Sequence, residues 1–66
     1  MQAIINGEAQ TLPGISTVAE LMDALGLSAR KVAIEVNLAI VPRSLYAETR
    51  LCEGDKIEIV QFIGGG

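Results

Sequence analysis

Histidine and tryptophan are absent from this 66-residue chain, and cysteine occurs once. Those gaps exclude a zinc finger, a Cys/His metal cluster and a histidine-based catalytic triad, each of which needs several such side chains. A single cysteine, Cys52, also excludes an internal disulfide, which fits a reducing cytoplasm. No Lys or Arg precedes Arg30, so the start lacks the basic region of a secretory signal peptide. No apolar run approaches the roughly 20 residues of a membrane helix. Basic residues are few: five against eight acidic ones give a formal net charge of -3, the wrong sign for ordinary phosphate-backbone binding. Aromatics are scarcer still. With only Tyr46 and Phe62, the core must be aliphatic.

What remains is one small domain, half of whose residues are hydrophobic. A domain this size hides only about 60% of the surface its unfolded chain exposes. That argues against a deep, water-excluding catalytic pocket made by this chain alone, and for a domain that works through a partner. No metal site and no bound cofactor are expected.

The order of elements reads from local signals. Met1–Ile5 is β-compatible and ends at Asn6-Gly7, two residues that tolerate the positive φ of a type I′ hairpin. Glu8–Leu12 is the returning strand, stopped by Pro13-Gly14. Thr17-Val18-Ala19-Glu20 has the spacing of a capping box, and Val18, Leu21, Met22 and Leu25 make one apolar stripe. A helix over 18–25 is expected, closed by Gly26 in a left-handed conformation. Val32, Ile34 and Val36 share a strand face; Asn37 begins a turn, and Leu38–Val41 is a short strand stopped by Pro42. Residues 43–53 are an irregular connection with one helical turn near Leu45 and Tyr46. Glu53-Gly54-Asp55 then turns into Lys56–Ile63, the strongest strand pattern in the chain. Hairpin, helix and further strands around one core make an α+β roll.

Lys56–Ile63 ends against Gly64-Gly65-Gly66. Two readings fit the glycines by themselves: a frayed end, or a tether thin enough to carry a bare carboxylate into another protein's groove. In the strand, alternation sets Ile57, Ile59, Gln61 and Ile63 on one face and Lys56, Glu58, Val60 and Phe62 on the other. Ile57 and Ile59 are the better core pair, which puts Val60 and Phe62 outward beside the tail; a bulge would turn both inward. Ile63 stands at the join, and Ile4 joins the outer patch if Ala3 and Ile5 face inward. Cys52 invites a redox or sulfur-accepting role, but lone cysteines are most often small buried hydrophobes, the reading adopted here. Arg30-Lys31 reads as ordinary surface and Pro42-Arg43 as a turn.

The chain resembles the ThiS family of thiamin-biosynthesis sulfur carriers, within the ubiquitin-like β-grasp proteins. The residues that carry the likeness are Met1–Gly7, Thr17–Leu25, Asn37 through Val41-Pro42-Arg43, and Gly54-Asp55 through Ile57-Glu58-Ile59 into Phe62-Ile63-Gly64-Gly65-Gly66. The resemblance implies a mixed sheet of four to five strands with one main helix on one face, spanning residues 1–63, and a flexible glycine tail over 64–66. It also implies a carrier, with no catalytic residue of its own. An E1-like adenylating enzyme (ThiF) would use ATP to activate the Gly66 carboxylate, with Gly64 and Gly65 as its reach. A cysteine desulfurase or sulfurtransferase would supply sulfur, and thiazole synthase (ThiG) would consume the resulting thiocarboxylate. Val60, Phe62, Ile63 and Ile4 would be partner-binding. The related carrier for molybdopterin synthesis, a ubiquitin-like modifier and a plain interaction module are the competing readings.

Overall fold

Five strands and one α-helix account for about half of residues 1–62, the part of the chain that the computed structural model describes. β1 (Gln2–Ile5) and β2 (Glu8–Thr11) form the first hairpin, followed by α1 (Val18–Leu25), β3 (Val32–Val36), β4 (Ala39–Val41) and β5 (Lys56–Gln61). The strands make a single mixed sheet in the order β2-β1-β5-β3-β4. The two hairpins therefore lie on either side of β5, which runs parallel to β1 and antiparallel to β3. No helix of the described chain is long and apolar enough to cross a membrane.

Each element has a local cause. Asn6 and Gly7 both take positive φ, 49° and 83°, as the tight turn requires. The Thr17 hydroxyl accepts from the Glu20 backbone N–H, and the Glu20 carboxylate accepts from the Thr17 N–H in return. Two further N–H groups of the first helical turn are satisfied from afar: Val18 donates to Thr49 O (3.0 Å) and Ala19 to Tyr46 O (3.0 Å). The irregular connection after β4 is thereby fastened to the start of α1. Gly26, at φ 68°, ends the helix.

The core lies between α1 and one face of the sheet. Val18, Leu21 and Met22 of the helix meet Ala3, Ile5, Val32, Ile34 and Ile57 of the strands, all buried. The helical stripe is shorter than its spacing predicts. Leu25, the last residue of the helix, is 41% exposed. The core is aliphatic apart from Tyr46, which a short 3-10 turn over Arg43–Leu45 delivers to it.

Two expectations need correcting. Cys52 is exposed, not buried. Leu51 takes the inward position, and Cys52 opens a turn in which its N–H donates to Asp55 Oδ2 (2.7 Å) and its carbonyl accepts from Asp55 N–H (3.1 Å). Leu38 belongs to the β3–β4 turn and not to the strand: Asn37 and Leu38 both have positive φ, 52° and 72°.

Candidate functional site

The sheet face opposite the helix carries apolar side chains that nothing among the described residues covers. Along β5 the alternation observed is the one expected: Ile57 is buried, whereas Val60 is 58% and Phe62 53% exposed. No bulge intervenes, since β5 pairs with β3 in unbroken register from Val36↔Ile57 to Val32↔Gln61. Ala33 stands directly across from Val60 and extends the apolar surface onto β3. Exposure of a large aromatic next to a valine stabilises nothing within the fold; it suits contact with another protein. Ile4 lies on this outer face too, half-buried between Ala9 of β2 and Lys56 of β5. It stands four residues along β5 from Val60, on the order of 13 Å. The two therefore flank the face at opposite ends.

The end of β5 is held unevenly. On its β3 edge the ladder continues to Phe62, whose N–H donates to Lys31 O (2.7 Å). On its β1 edge the last backbone bond is Asn6 N–H to Ile57 O (2.9 Å), after which the chain turns back at Gly7. There a side chain takes over. Asn6 Oδ1 accepts from Ile59 N–H (2.8 Å), and Asn6 Nδ2 donates to Ile59 O (3.2 Å). Sequence reasoning missed this contact; Asn6 reads there only as a turn former.

Beside Asn6 lies an open groove of about 300 Å³, lined by Ile5, Asn6, Leu25, Leu27, Ile59 and Gln61. Among the described residues no three of His, Cys, Asp or Glu approach closely enough to hold a metal ion. Glu20 is the group whose pKa clearly moves. The Ser16 backbone N–H holds its carboxyl below the usual carboxylate range, helped by the Ser16 hydroxyl and by Thr17. Its work is capping. Ile63, Gly64, Gly65 and Gly66 lie outside the described residues.

One helix crossing a mixed sheet in which the first and last strands run parallel at the centre is the architecture of the ubiquitin-like β-grasp proteins. The crystal structure of a thiamine biosynthesis protein (ThiS) from Geobacter metallireducens superposes with a TM-score of 0.83, at 35% identity and with the whole of both chains covered. The family model for ThiS matches residues 3–66. The sulfur carrier protein ThiS of Escherichia coli is 35% identical across the full length of both chains. A thiazole synthase of Paramagnetospirillum magneticum is 52% identical over all 66 residues, and there the chain spans only 20% of the relative's length. The chain belongs to the ThiS family.

Proposed function

We propose that this domain is a sulfur carrier of thiamin biosynthesis, acting as a co-substrate of partner enzymes and not as a catalyst. In this reading the Gly66 carboxylate attacks the α-phosphate of ATP on ThiF, forming an acyl-adenylate and releasing pyrophosphate. Activation is needed because a carboxylate is a poor electrophile, and AMP is a good leaving group. The terminal sulfur of a cysteine persulfide, from a desulfurase or sulfurtransferase, then displaces AMP. A second thiol cleaves the resulting acyl disulfide, taking the old sulfur–sulfur bond into a new disulfide and leaving the Gly66 thiocarboxylate. ThiG would use that sulfur for the thiazole ring.

The observation that carries the reading is the family match through Gly66, with end-to-end cover of a sulfur carrier of the same extent. The thiazole synthase that contains a segment like this chain supports ThiG as the consumer. Val60 and Phe62, exposed beside the end of β5, supply a face on which both enzymes would seat the domain. Gly64 and Gly65 offer no Cβ to a narrow channel, and Ile63 joins them to the docking face.

The test is the intact mass of the chain after incubation with ATP, the adenylating enzyme and a persulfide source. The expected result is a mass gain equal to one oxygen replaced by sulfur. The double variant Val60→Ser, Phe62→Ser should gain sulfur far more slowly while melting near the wild-type temperature, since both side chains are exposed. A wild-type chain that stays unchanged beside an active enzyme would end the carrier reading. Recovery of high-mass isopeptide conjugates instead would favour a protein modifier.

A further inference from the structure

Each hairpin sends the side chain of its turn asparagine to β5, and one of the two grips it at Ile59, three residues before Phe62. A regular parallel ladder from β1 would continue past Ile57 with a carbonyl for Ile59 N–H and an N–H for Ile59 O. The chain has already turned at Gly7, so those groups are missing from the backbone. The Asn6 carboxamide has one acceptor and a donor, like a peptide unit, and it makes both bonds at 2.8 and 3.2 Å. Its orientation is unambiguous, because Ile59 N–H can only donate.

We propose that Asn6 is a positioning residue for activation of the carrier's C-terminal end. The inference rests on the adenylation reading above. With the clasp in place, the β1 edge of β5 is held as far as Ile59, and beyond it only the β3 edge is held, through the Phe62 N–H. Without it, the last hold on the β1 edge falls back to Ile57. The segment held on one edge then grows by two residues, about 7 Å of strand. Val60 and Phe62 keep their bonds to β3, so docking survives; the direction in which the chain leaves the sheet does not. Displacements of about 1 Å at a reacting group can cost up to a hundredfold in rate. Loss of the clasp therefore lowers turnover and spares affinity.

The chain supplies its own control. Asn37, in the second hairpin, makes an equivalent clasp at the start of β5: its Oδ1 accepts from Lys56 N–H (3.0 Å), and its Nδ2 donates to Asp55 Oδ1 (3.0 Å). That end of the strand lies farthest from Phe62. Glycine tolerates the positive φ of both asparagines, so Asn6→Gly and Asn37→Gly each remove a clasp without straining the turn.

The experiment measures kcat and KM for thiocarboxylate formation with the adenylating enzyme, alongside the thermal melt and amide exchange at Ile59. Asn6→Gly should lower kcat about tenfold with KM within about twofold, and should speed exchange at Ile59. Asn37→Gly should lower the melt at least as much while leaving kcat within about twofold of wild type. Asn6→Asp tolerates the turn and keeps the acceptor for Ile59 N–H but sets a carboxylate oxygen against Ile59 O, so it should lose kcat by an intermediate amount, about fourfold, with KM within about twofold; that loss serves as the test should the glycine variant fail to fold. Unchanged kcat in Asn6→Gly, or an equal loss of kcat in Asn37→Gly, overturns the assignment. A wild-type chain that gains no sulfur is a separate result: it removes the adenylation reading, and this inference with it.

Discussion

The two hairpins make the same turn with different chemistry at its second position. Asn6-Gly7 and Asn37-Leu38 both carry positive φ at both residues, 49° and 83° in the first and 52° and 72° in the second. Glycine meets that demand without cost, whereas a leucine held in the left-handed region costs about 1–2 kcal/mol. Leu38 recovers nothing by packing, since it is 88% exposed. What the hairpins share is the asparagine, and in each its side chain reaches β5. The lesson is that tertiary bonds, not the local preference of the second residue, define these turns. Asn37 is tied through its N–H to Lys56 O (2.7 Å) as well as through its side chain, which holds Leu38 where it would not otherwise go.

The most damaging way to test this comparison is to remove what both hairpins lean on. Ile57 is fully buried and pairs with Ile5 of the first hairpin and Val36 of the second. Ile57→Ala should cost about 2–5 kcal/mol, read as a lower urea midpoint with an unchanged slope. Amide signals of both hairpins should be lost in one transition; survival of one after the other has melted would show that they do not share a core. A smaller effect comes from exchanging the second residues. Gly7→Leu should destabilise by about 1–2 kcal/mol and Leu38→Gly should stabilise by up to about 1 kcal/mol. At roughly 4–8 °C per kcal/mol in a domain this size, both shifts are visible in a thermal melt. If Gly7→Leu is neutral, the two turns are clamped equally and the contrast disappears.

The smallest effect lies outside the hairpins and separates turn geometry from charge. Glu20 has a folded-state pKa below its unfolded one, chiefly because the Ser16 N–H donates to its carboxylate at 2.7 Å. Its stabilising contribution is therefore present above the ordinary carboxylate pKa and is lost as pH falls through the lowered value. Glu20→Gln should melt slightly below wild type at neutral pH, and the gap should close in acid. The shift from Leu38→Gly involves no ionisable group and should stay flat over the same range. A Glu20→Gln gap that persists unchanged into acid would mean that the carboxylate's charge adds nothing to the cap.

Much of the fold was legible because local and global demands agree. Thr17, Glu20 and Gly26 bound the helix correctly, Asn6-Gly7 placed the first turn, and the charges on Lys56 and Glu58 fixed the phase of β5 and so the exposure of Val60 and Phe62. Failures occurred where tertiary bonds decide. Leu38 reads as strand because leucine rarely enters a turn at positive φ; only the bonds from Asn37 to β5 reveal otherwise. Cys52 reads as buried by residue type, but Asp55 closes a turn on it and faces it outward. Asn6 is the instructive miss in the site. Its role at Ile59 depends on a residue 53 positions away, and no local pattern carries that information.

That separation has a kinetic consequence. The strand between the hairpins is also the last of the five to be synthesised, so neither hairpin joins a common sheet until Lys56–Gln61 has arrived. Closing so distant a contact delays the gain in stability until late in folding, and topologies of this kind fold more slowly than those built from local contacts. An interrupted chain that stops before β5 has two unjoined hairpins, half a core and nothing at Ile59 for Asn6 to grip. Such a product unfolds and is open to proteolysis. Synthesis therefore acts as a filter: the strand that joins the two hairpins and completes the core is the last of the five to emerge, and molecules that lack it do not accumulate beside folded ones.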